Sequence, residues 1–304
     1  MVPRSRREDL PRFIAPMLAR SGPLPERQDG WIAEAKWDGC RLQVRFDGRR
    51  LCLRTRPGRD CTAEFPELDL LAQVLAGRRV ILDGELVCLD CGGRPDFGEL
   101  RSRLGRRISG KGPATLMVFD VLHLDGRSVR DLPYWQRREM LEAIALDGRS
   151  WKTPEVFPGQ VAALARATAD QGLEGIVVKR VDAPYRAGRR DSAWIKHKHR
   201  RREELLITAW LPGRGGREDA FALVRSSSAG RQSGAGTVSL GLDREQRERL
   251  RAALVSAEIP MGRRRRTWRP VAPVARVVVD SHGDPDGPVR DPVMRGVILD
   301  GDVP

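Results

Sequence analysis

The sequence predicts an α+β protein of two domains: a mixed helix-and-strand domain over residues 1–199, then a small β-barrel over residues 200–304. Three observations carry this. A chain of 304 residues exceeds the size near which single hydrophobic cores stop growing, roughly 250 residues. Up to residue 199, two-residue alternation is interleaved with 3.6-residue periodicity, whereas beyond it short strands are separated by glycine-rich turns. The charged run His199-Arg200-Arg201-Arg202 marks the change and is the predicted hinge.

The first domain opens with alternation from Trp31 to Arg56. Leu42, Val44 and Phe46 face one way and Arg41, Gln43 and Arg45 the other; Asp47-Gly48 then turns the chain into Leu51 and Leu53, a β-hairpin with one arginine-lined face. Phe65 to Ala76 reads as a helix closed by Gly77, Val80 to Leu89 as a strand, and Leu116 to Leu124 as a strand ending at Asp125-Gly126. Pro133 opens a helix predicted to run through Leu146. A second helix, Val161 to Gln171, stops at Gly172, and strands follow at Gly175 to Val181 and Ser192 to His197. In the second domain the strands are Glu204 to Leu211, Ala220 to Arg225, Thr237 to Leu242 and Val274 to Val279, with one helix from Asp243 to Glu258. Ser226 to Gly236 reads as a flexible loop.

Composition narrows the function classes. No apolar stretch approaches the roughly 20 residues of a membrane helix, so no membrane association is expected. The basic start lacks an apolar segment, which predicts a cytosolic protein with reduced cysteines. Cys88 and Cys91 form the single Cys-x-x-Cys pair, too few ligands for structural zinc. A net charge of +14 implies a polyanionic partner, with nucleic acid foremost, although arginine-rich composition raises charge by itself. Only six of the 55 basic residues are lysines, and none follows Lys198. An amine can lose its proton and attack phosphorus where a guanidinium cannot, so lysine reads as kept for chemistry.

Four of those lysines lie in short ordered motifs. Lys36-Trp37-Asp38-Gly39 follows a short strand, with Glu34 before it and Arg41 after it. Downstream come Thr55-Arg56-Pro57-Gly58, Asp83-Gly84-Glu85-Leu86-Val87, Val118-Phe119-Asp120, Glu174-Gly175-Ile176-Val177-Val178-Lys179 and Trp194-Ile195-Lys196-His197-Lys198. This set resembles the covalent nucleotidyltransferase superfamily, most closely its ATP-dependent DNA ligases. Pro16-Met17-Leu18-Ala19, Phe65-Pro66-Glu67-Leu68 and Pro184-Tyr185-Arg186 extend the likeness toward compact bacterial ligases and the ligase domains of non-homologous end joining. The resemblance covers nearly the whole chain and implies a nucleotidyltransferase (ATP-grasp-like ligase) domain of mixed and antiparallel sheets, followed by an OB-fold barrel.

The chemistry can be argued from the residues. A lysine that attacks the α-phosphate must be unprotonated, although its free pKa is near ~10.4, so burial or neighbouring cations must depress it. Lys196 and Lys198, two apart on a strand, share a face and can supply that positive field while binding α-phosphate oxygens; a solvated strand edge is the competing role. Glu85 and Glu174 lie in or beside apolar strands, where a carboxylate needs a partner, and magnesium (or manganese) with phosphate oxygens would serve. The resemblance implies further roles: Lys36 as the residue that carries AMP, Glu174 on the metal, Glu85 on ribose or metal, Glu34 on the adenine edge and Phe119 stacked on the purine. A core phenylalanine is the alternative for Phe119. It also implies that Arg41 and Arg56 contact the ribose and the nick 5′-phosphate, and it groups Lys179 with the nucleotide-binding residues. Arg263-Arg264-Arg265-Arg266 with Trp268 and Arg269 reads as a second basic patch for duplex backbone, or as a solvated loop.

One departure stands out. The family closes its barrel with Arg-x-Asp-Lys, and here Ile298-Leu299-Asp300-Gly301 takes that place, so either Arg295 or Arg290 substitutes or self-adenylylation is slow. The resemblance therefore implies an ATP-dependent DNA ligase of the bacterial cytosol, acting in repair as a monomer on nicked double-stranded DNA with ATP and magnesium. No extra DNA-clasping domain is read before it, so help from end-joining or repair proteins is expected. Two alternatives stay open: an RNA ligase or GTP-dependent capping-type enzyme, and a ligase-derived nucleic-acid binder without catalysis.

Overall fold

A computed structural model of the protein describes residues 8–104, 112–213, 215, 217–226, 231–260, 268–282 and 287–300. The chain divides into two compact units between Lys198 and His199.

The first unit runs, in order, through β1 (Leu18–Ser21), β2 (Trp31–Ala35), β3 (Cys40–Phe46), β4 (Leu51–Thr55), α1 (Leu71–Val74), β5 (Val80–Cys88), α2 (Phe97–Arg103), β6 (Ala114–Leu124), β7 (Arg127–Ser128), α3 (Tyr134–Glu142), β8 (Trp151–Lys152), β9 (Phe157–Pro158), α4 (Val161–Asp170), β10 (Gly175–Arg180) and β11 (Arg190–Lys198). These strands make two sheets, ordered β1-β11-β10-β2-β9 and β4-β3-β5-β6-β7, with β8 also on β6. All pairings are antiparallel except β1 with β11 and β6 with β8. The hairpin forms as alternation demands: Leu42, Val44, Phe46, Leu51 and Leu53 enter the main core. Its polar face is not an open arginine surface. Ile14 N donates to the Gln43 side chain and Gln43 donates back to Ile14 O, while Arg45 donates to Pro11 O, so the preceding segment covers it.

Two sequence expectations in this unit need correction, and one helix is additional to them. The stretch Phe65 to Ala76 is not one helix: two 3₁₀ turns, Thr62–Glu64 and Pro66–Leu68, lead into the single turn of α1. Phe65, Leu68, Leu71 and Leu75 are all fully buried, because a spacing of three fills one face of a 3₁₀ turn as well as of an α-helix. The helix after Pro133 ends at Glu142 rather than Leu146. Ala145 takes a left-handed conformation, φ 57°, and turns Leu146 back into the core. Helix α2 was not anticipated, although Asp96 caps it by accepting from Glu99 N, an Asp-x-x-Glu signal visible in the sequence.

The second unit contains β12 (Arg201–Leu211), β13 (Ala220–Ser226), β14 (Gln232–Val238), α5 (Arg244–Ser256), β15 (Arg269–Pro270), β16 (Ala275–His282) and β17 (Arg290–Leu299). The order β14-β13-β12-β16-β17 is antiparallel throughout. Val289 N donates to Ala235 O and Met294 N to Leu240 O, which draws the two outer strands together around a core of Leu205, Ile207, Trp210, Phe221, Val277 and Met294. This is the five-stranded barrel with one helix, and α5 carries a complete Asp243–Gln246 capping box. The glycine-rich stretch before Thr237 is a strand from Gln232 onward and not a loop; the strand ends at Val238 instead of Leu242. Ala235 is buried and Gly236 takes φ 103°, so glycine here admits strong twist and close contact with Val289. Two of the four residues of the expected hinge, Arg201 and Arg202, pair with Ser281 and Asp280 as part of β12. Arg263 to Arg266 lie outside the described residues, while Arg269 is engaged by Glu258 and by the Trp210 ring.

Helix α3 ties the first unit together. Arg137 and Asp120, both fully buried, form a two-pronged pair at 2.8 and 2.9 Å, and Arg137 also donates to Leu132 O and Ala183 O. Removing one member leaves a buried charge without its partner, so Asp120→Ala is expected to cost roughly 3–5 kcal/mol in urea unfolding. A cost below about 1 kcal/mol would show that the pair contributes nothing to the fold.

Candidate active site

The site lies between the two sheets of the first unit, in a cleft of about 390 Å³. Register builds one wall. Val177 pairs with Glu34 and Lys196, and Lys179 pairs with Trp194, so alternation sends Glu34, Lys179, Trp194 and Lys196 to the same face. Lys36 continues that face, its backbone N bonded to Gly175 O at 2.9 Å. Gly175 has φ 152°, and a Cβ on it would lie 2.1 Å from His197 O, so only glycine lets β10 begin this close to β11. The other wall carries Arg41, Glu85 and Phe119 from β3, β5 and β6. Gly39, where a Cβ would sit 2.1 Å from Leu86 O, brings β3 onto β5 directly after the lysine motif.

One carboxylate organises the lysines. Glu174 accepts from Lys36 Nζ through Oε2 and from Lys198 Nζ at 3.1 Å through Oε1. Burial pushes the Glu174 carboxyl up, but the two ammonium groups outweigh it and hold it below its ordinary value. Lys196 lines the same cleft, and its pKa is lowered by burial and by the charges of Lys198, Lys36 and Arg190. The structure thus brings together Lys36, Glu174, Lys196 and Lys198, read from three separate motifs.

A second network sits deeper. Lys179 Nζ, 2% exposed, reaches both oxygens of Glu34 at 2.7 and 2.8 Å, and the Tyr134 hydroxyl donates to Glu34 Oε1. Burial lowers the Lys179 pKa, partly offset by Glu34. Phe119 is 8% exposed, and the Lys179 ammonium and the Arg41 guanidinium each lie 4.4 Å from its ring centroid. It lines the cleft while belonging to an apolar cluster with Ile14, Met17, Tyr185 and Trp194. Arg41 commits Nε and Nη2 to Asp83 at 2.6 and 2.7 Å, and Asp83 also accepts from the Tyr185 hydroxyl. Arg56 is exposed at the cleft and makes no hydrogen bond or ion pair with any described residue, which leaves its fork available. Tyr134, Asp83 and Tyr185 were missed by sequence reasoning. Tyr134 carried no motif, whereas Asp83 sat in plain view beside Gly84-Glu85.

Glu85 tests the fit of a magnesium ion. It has no hydrogen-bonding or ion-pair partner among the described residues, and burial pushes its carboxyl up to about 7 against the pull of Arg41 and Lys36. A carboxylate so placed gains from a cation. Among the described residues no group of three or more His, Cys, Asp or Glu gathers, so Glu85 and Glu174 would need phosphate oxygens and water to complete a shell, which is the composition magnesium favours.

Comparison with known proteins shows the family of the chain. Residues 16–198 match the family described as ATP dependent DNA ligase domain. The multifunctional non-homologous end joining protein LigD of Mycobacterium bovis is 37% identical over 244 residues, covering 79% of this chain and 31% of that protein. A probable DNA ligase of Beutenbergia cavernae is 34% identical over 67% of this chain and 42% of its own length. The chain therefore spans about a third of the length of the first of these. Among solved structures, mycobacterial DNA ligase D complexed with ATP and MES superposes with a TM-score of 0.60 at 34% identity, over 94% of this chain and 95% of that one. No helix among the described residues is long and apolar enough to cross a membrane.

The Glu85 shift has a measurable consequence. A carboxyl raised from 4.5 to about 7 favours the folded state below pH 4.5, and that contribution is lost as pH rises through 7. Glu85→Gln is therefore expected to gain stability over the parent between pH 4.5 and 7, on the order of 2 kcal/mol, in denaturant melts without metal or nucleotide. A pH-independent difference would show that Glu85 titrates normally.

Proposed function

The chain belongs to the family of ATP-dependent DNA ligase domains, and from that premise we propose that it seals nicks in duplex DNA through an adenylate carried on Lys36. The observation that supports this most directly is the shared carboxylate of Glu174, which holds Lys36 and Lys198 at one end of a nucleotide-sized cleft. In the first step the Lys36 amine, having given up a proton, attacks the α-phosphorus of ATP; a P–N bond forms and the bond to pyrophosphate breaks. Lys196 and Lys198 would bind the α-phosphate oxygens as negative charge builds there. In the second step a 5′-phosphate oxygen at the nick attacks the adenylate phosphorus and Lys36 leaves. The 3′-hydroxyl then attacks the 5′-phosphorus, forming the phosphodiester and releasing AMP. Arg56, with its fork unengaged, suits the 5′-phosphate. A divalent cation held by Glu85 and Glu174 would supply Lewis-acid stabilisation of phosphate charge.

Glu34 and Lys179 present an acceptor beside a donor, the complement of adenine's N6 amine and N1. That pattern favours ATP over GTP and disfavours the capping-type alternative. The names of the relatives place them in non-homologous end joining, and the same setting, with nicked or broken duplex as substrate, is our reading for this protein. Its net charge of +14 suits such a partner.

The closing segment bears on relative rates. Arg295, one of the two candidate substitutes, is committed to Asp280 at 2.7 Å, and Arg202 shares that carboxylate at 2.8 Å. Asp280 is held down at about 2, chiefly by Arg202 and then Arg295 despite some burial. With Arg295 so engaged, charging of Lys36 should be the slow stage.

Incubation with α-labelled ATP should label the parent protein and leave Lys36→Ala unlabelled; label retained by the alanine variant would refute Lys36 as nucleophile. Timed separately, sealing of a pre-adenylylated nick is expected to outpace self-adenylylation by about tenfold or more, an energy of ~1.4 kcal/mol or more. Equal rates would mean that the altered terminus is compensated.

A further inference from the structure

The sequence offers no reason to single out Tyr134, yet it is among the largest fully buried side chains of the molecule and its hydroxyl donates to Glu34 at a separation of 100 residues. It comes from the first turn of α3, while Arg137, one turn later, reaches Asp120 in the opposite sheet. The helix thereby holds Glu34, on one wall of the cleft, and Asp120, in the sheet that carries the other wall.

We infer that Tyr134 is a positioning residue for base selectivity: its hydroxyl holds Glu34 as a pure hydrogen-bond acceptor toward the nucleobase. This rests on the ligase reading above and adds to it a residue outside every motif. A buried carboxylate can present either an acceptor or, when protonated, an O–H donor. Which one it presents decides whether the base edge must carry an amine, as adenine does, or a carbonyl, as hypoxanthine and guanine do. Tyr134 and Lys179 both donate to Glu34, which fixes the orientation of its carboxylate and leaves the remaining lone pairs as acceptors suited to an amine. The phenol itself stays protonated, because burial and the Glu34 charge push its pKa well above the ordinary value. Lys179 alone would be a weaker guarantee. Its ammonium is fully buried among Phe119, Trp194 and Tyr134, an environment that penalises its own charge. Losing the phenol removes one charge-assisted hydrogen bond and leaves the Glu34 carboxylate free to turn away from the base.

The test compares self-adenylylation with α-labelled ATP and α-labelled inosine triphosphate in the parent, Tyr134→Phe and Tyr134→His. The ATP-to-inosine preference, as a ratio of kcat/KM, should fall about tenfold in Tyr134→Phe, mostly through a raised KM for ATP. Tyr134→His, which keeps a ring N–H donor, should retain most of the preference. The rate with inosine triphosphate should be retained in both, a result that general loosening of the fold would not produce. An unaltered ratio in Tyr134→Phe, or equal losses with both nucleotides, would overturn the inference while leaving the ligase reading intact. Absence of label on the parent protein would sink both. Should Tyr134→Phe melt too low to assay, a loss of preference in Tyr134→His would overturn the inference.

Discussion

Glu174 is the group on which the rest of the site depends. Lys36 and Lys196 line one cleft with Lys198 close behind on Glu174, and like charges gathered in a partly dry space repel by several kcal/mol unless something answers them. A single carboxylate answers two of the three, and because it lies where β10 begins, its position is as rigid as the sheet. The arrangement has a chemical corollary. An ammonium bonded to a carboxylate is a resting state, and incoming phosphate oxygens compete for the same cations.

The same logic recurs one layer deeper, where burial is more complete. Lys179 would be intolerable among three aromatic rings without Glu34, and Arg41 without Asp83. Arg137 and Asp120 complete the series. Each pair joins two elements: Lys179–Glu34 and Arg41–Asp83 each link neighbouring strands within one wall, and Arg137–Asp120 links α3 to β6. The main apolar core then needs only to hold each sheet and its helices, as the cluster around Leu42, Leu53, Leu82 and Val118 does.

The barrel follows a different economy. Its core is built almost wholly from aliphatic residues and two aromatic ones, Trp210 and Phe221, and its paired charges lie toward the surface, where Asp280 gathers Arg202 and Arg295. Such exposed pairs contribute little to stability. Their consequence is that an arginine visible in the sequence near the altered terminus is already occupied.

Much of this was legible beforehand. Alternation placed the hairpin, and short apolar or β-rich runs between turn signals placed β5, β6, β10, β11 and β12 within a few residues. The ordered motifs gathered Lys36, Glu85, Glu174, Lys179, Lys196 and Lys198. Failures came where local pattern is degenerate: spacing of three does not separate 3₁₀ turns from a helix at Phe65 to Leu75, and glycines at 234 and 236 mimic a loop within a strand. What the sequence by itself determined was the set of reactive groups and the strands that carry them, because both are properties of short stretches. Tertiary structure alone decided the partners. That Tyr134 meets Glu34, that the arginine face of the hairpin is covered by Pro11 and Ile14, and that burial outweighs Arg41 and Lys36 at Glu85 depend on contacts between residues tens to a hundred positions apart, which no local period encodes.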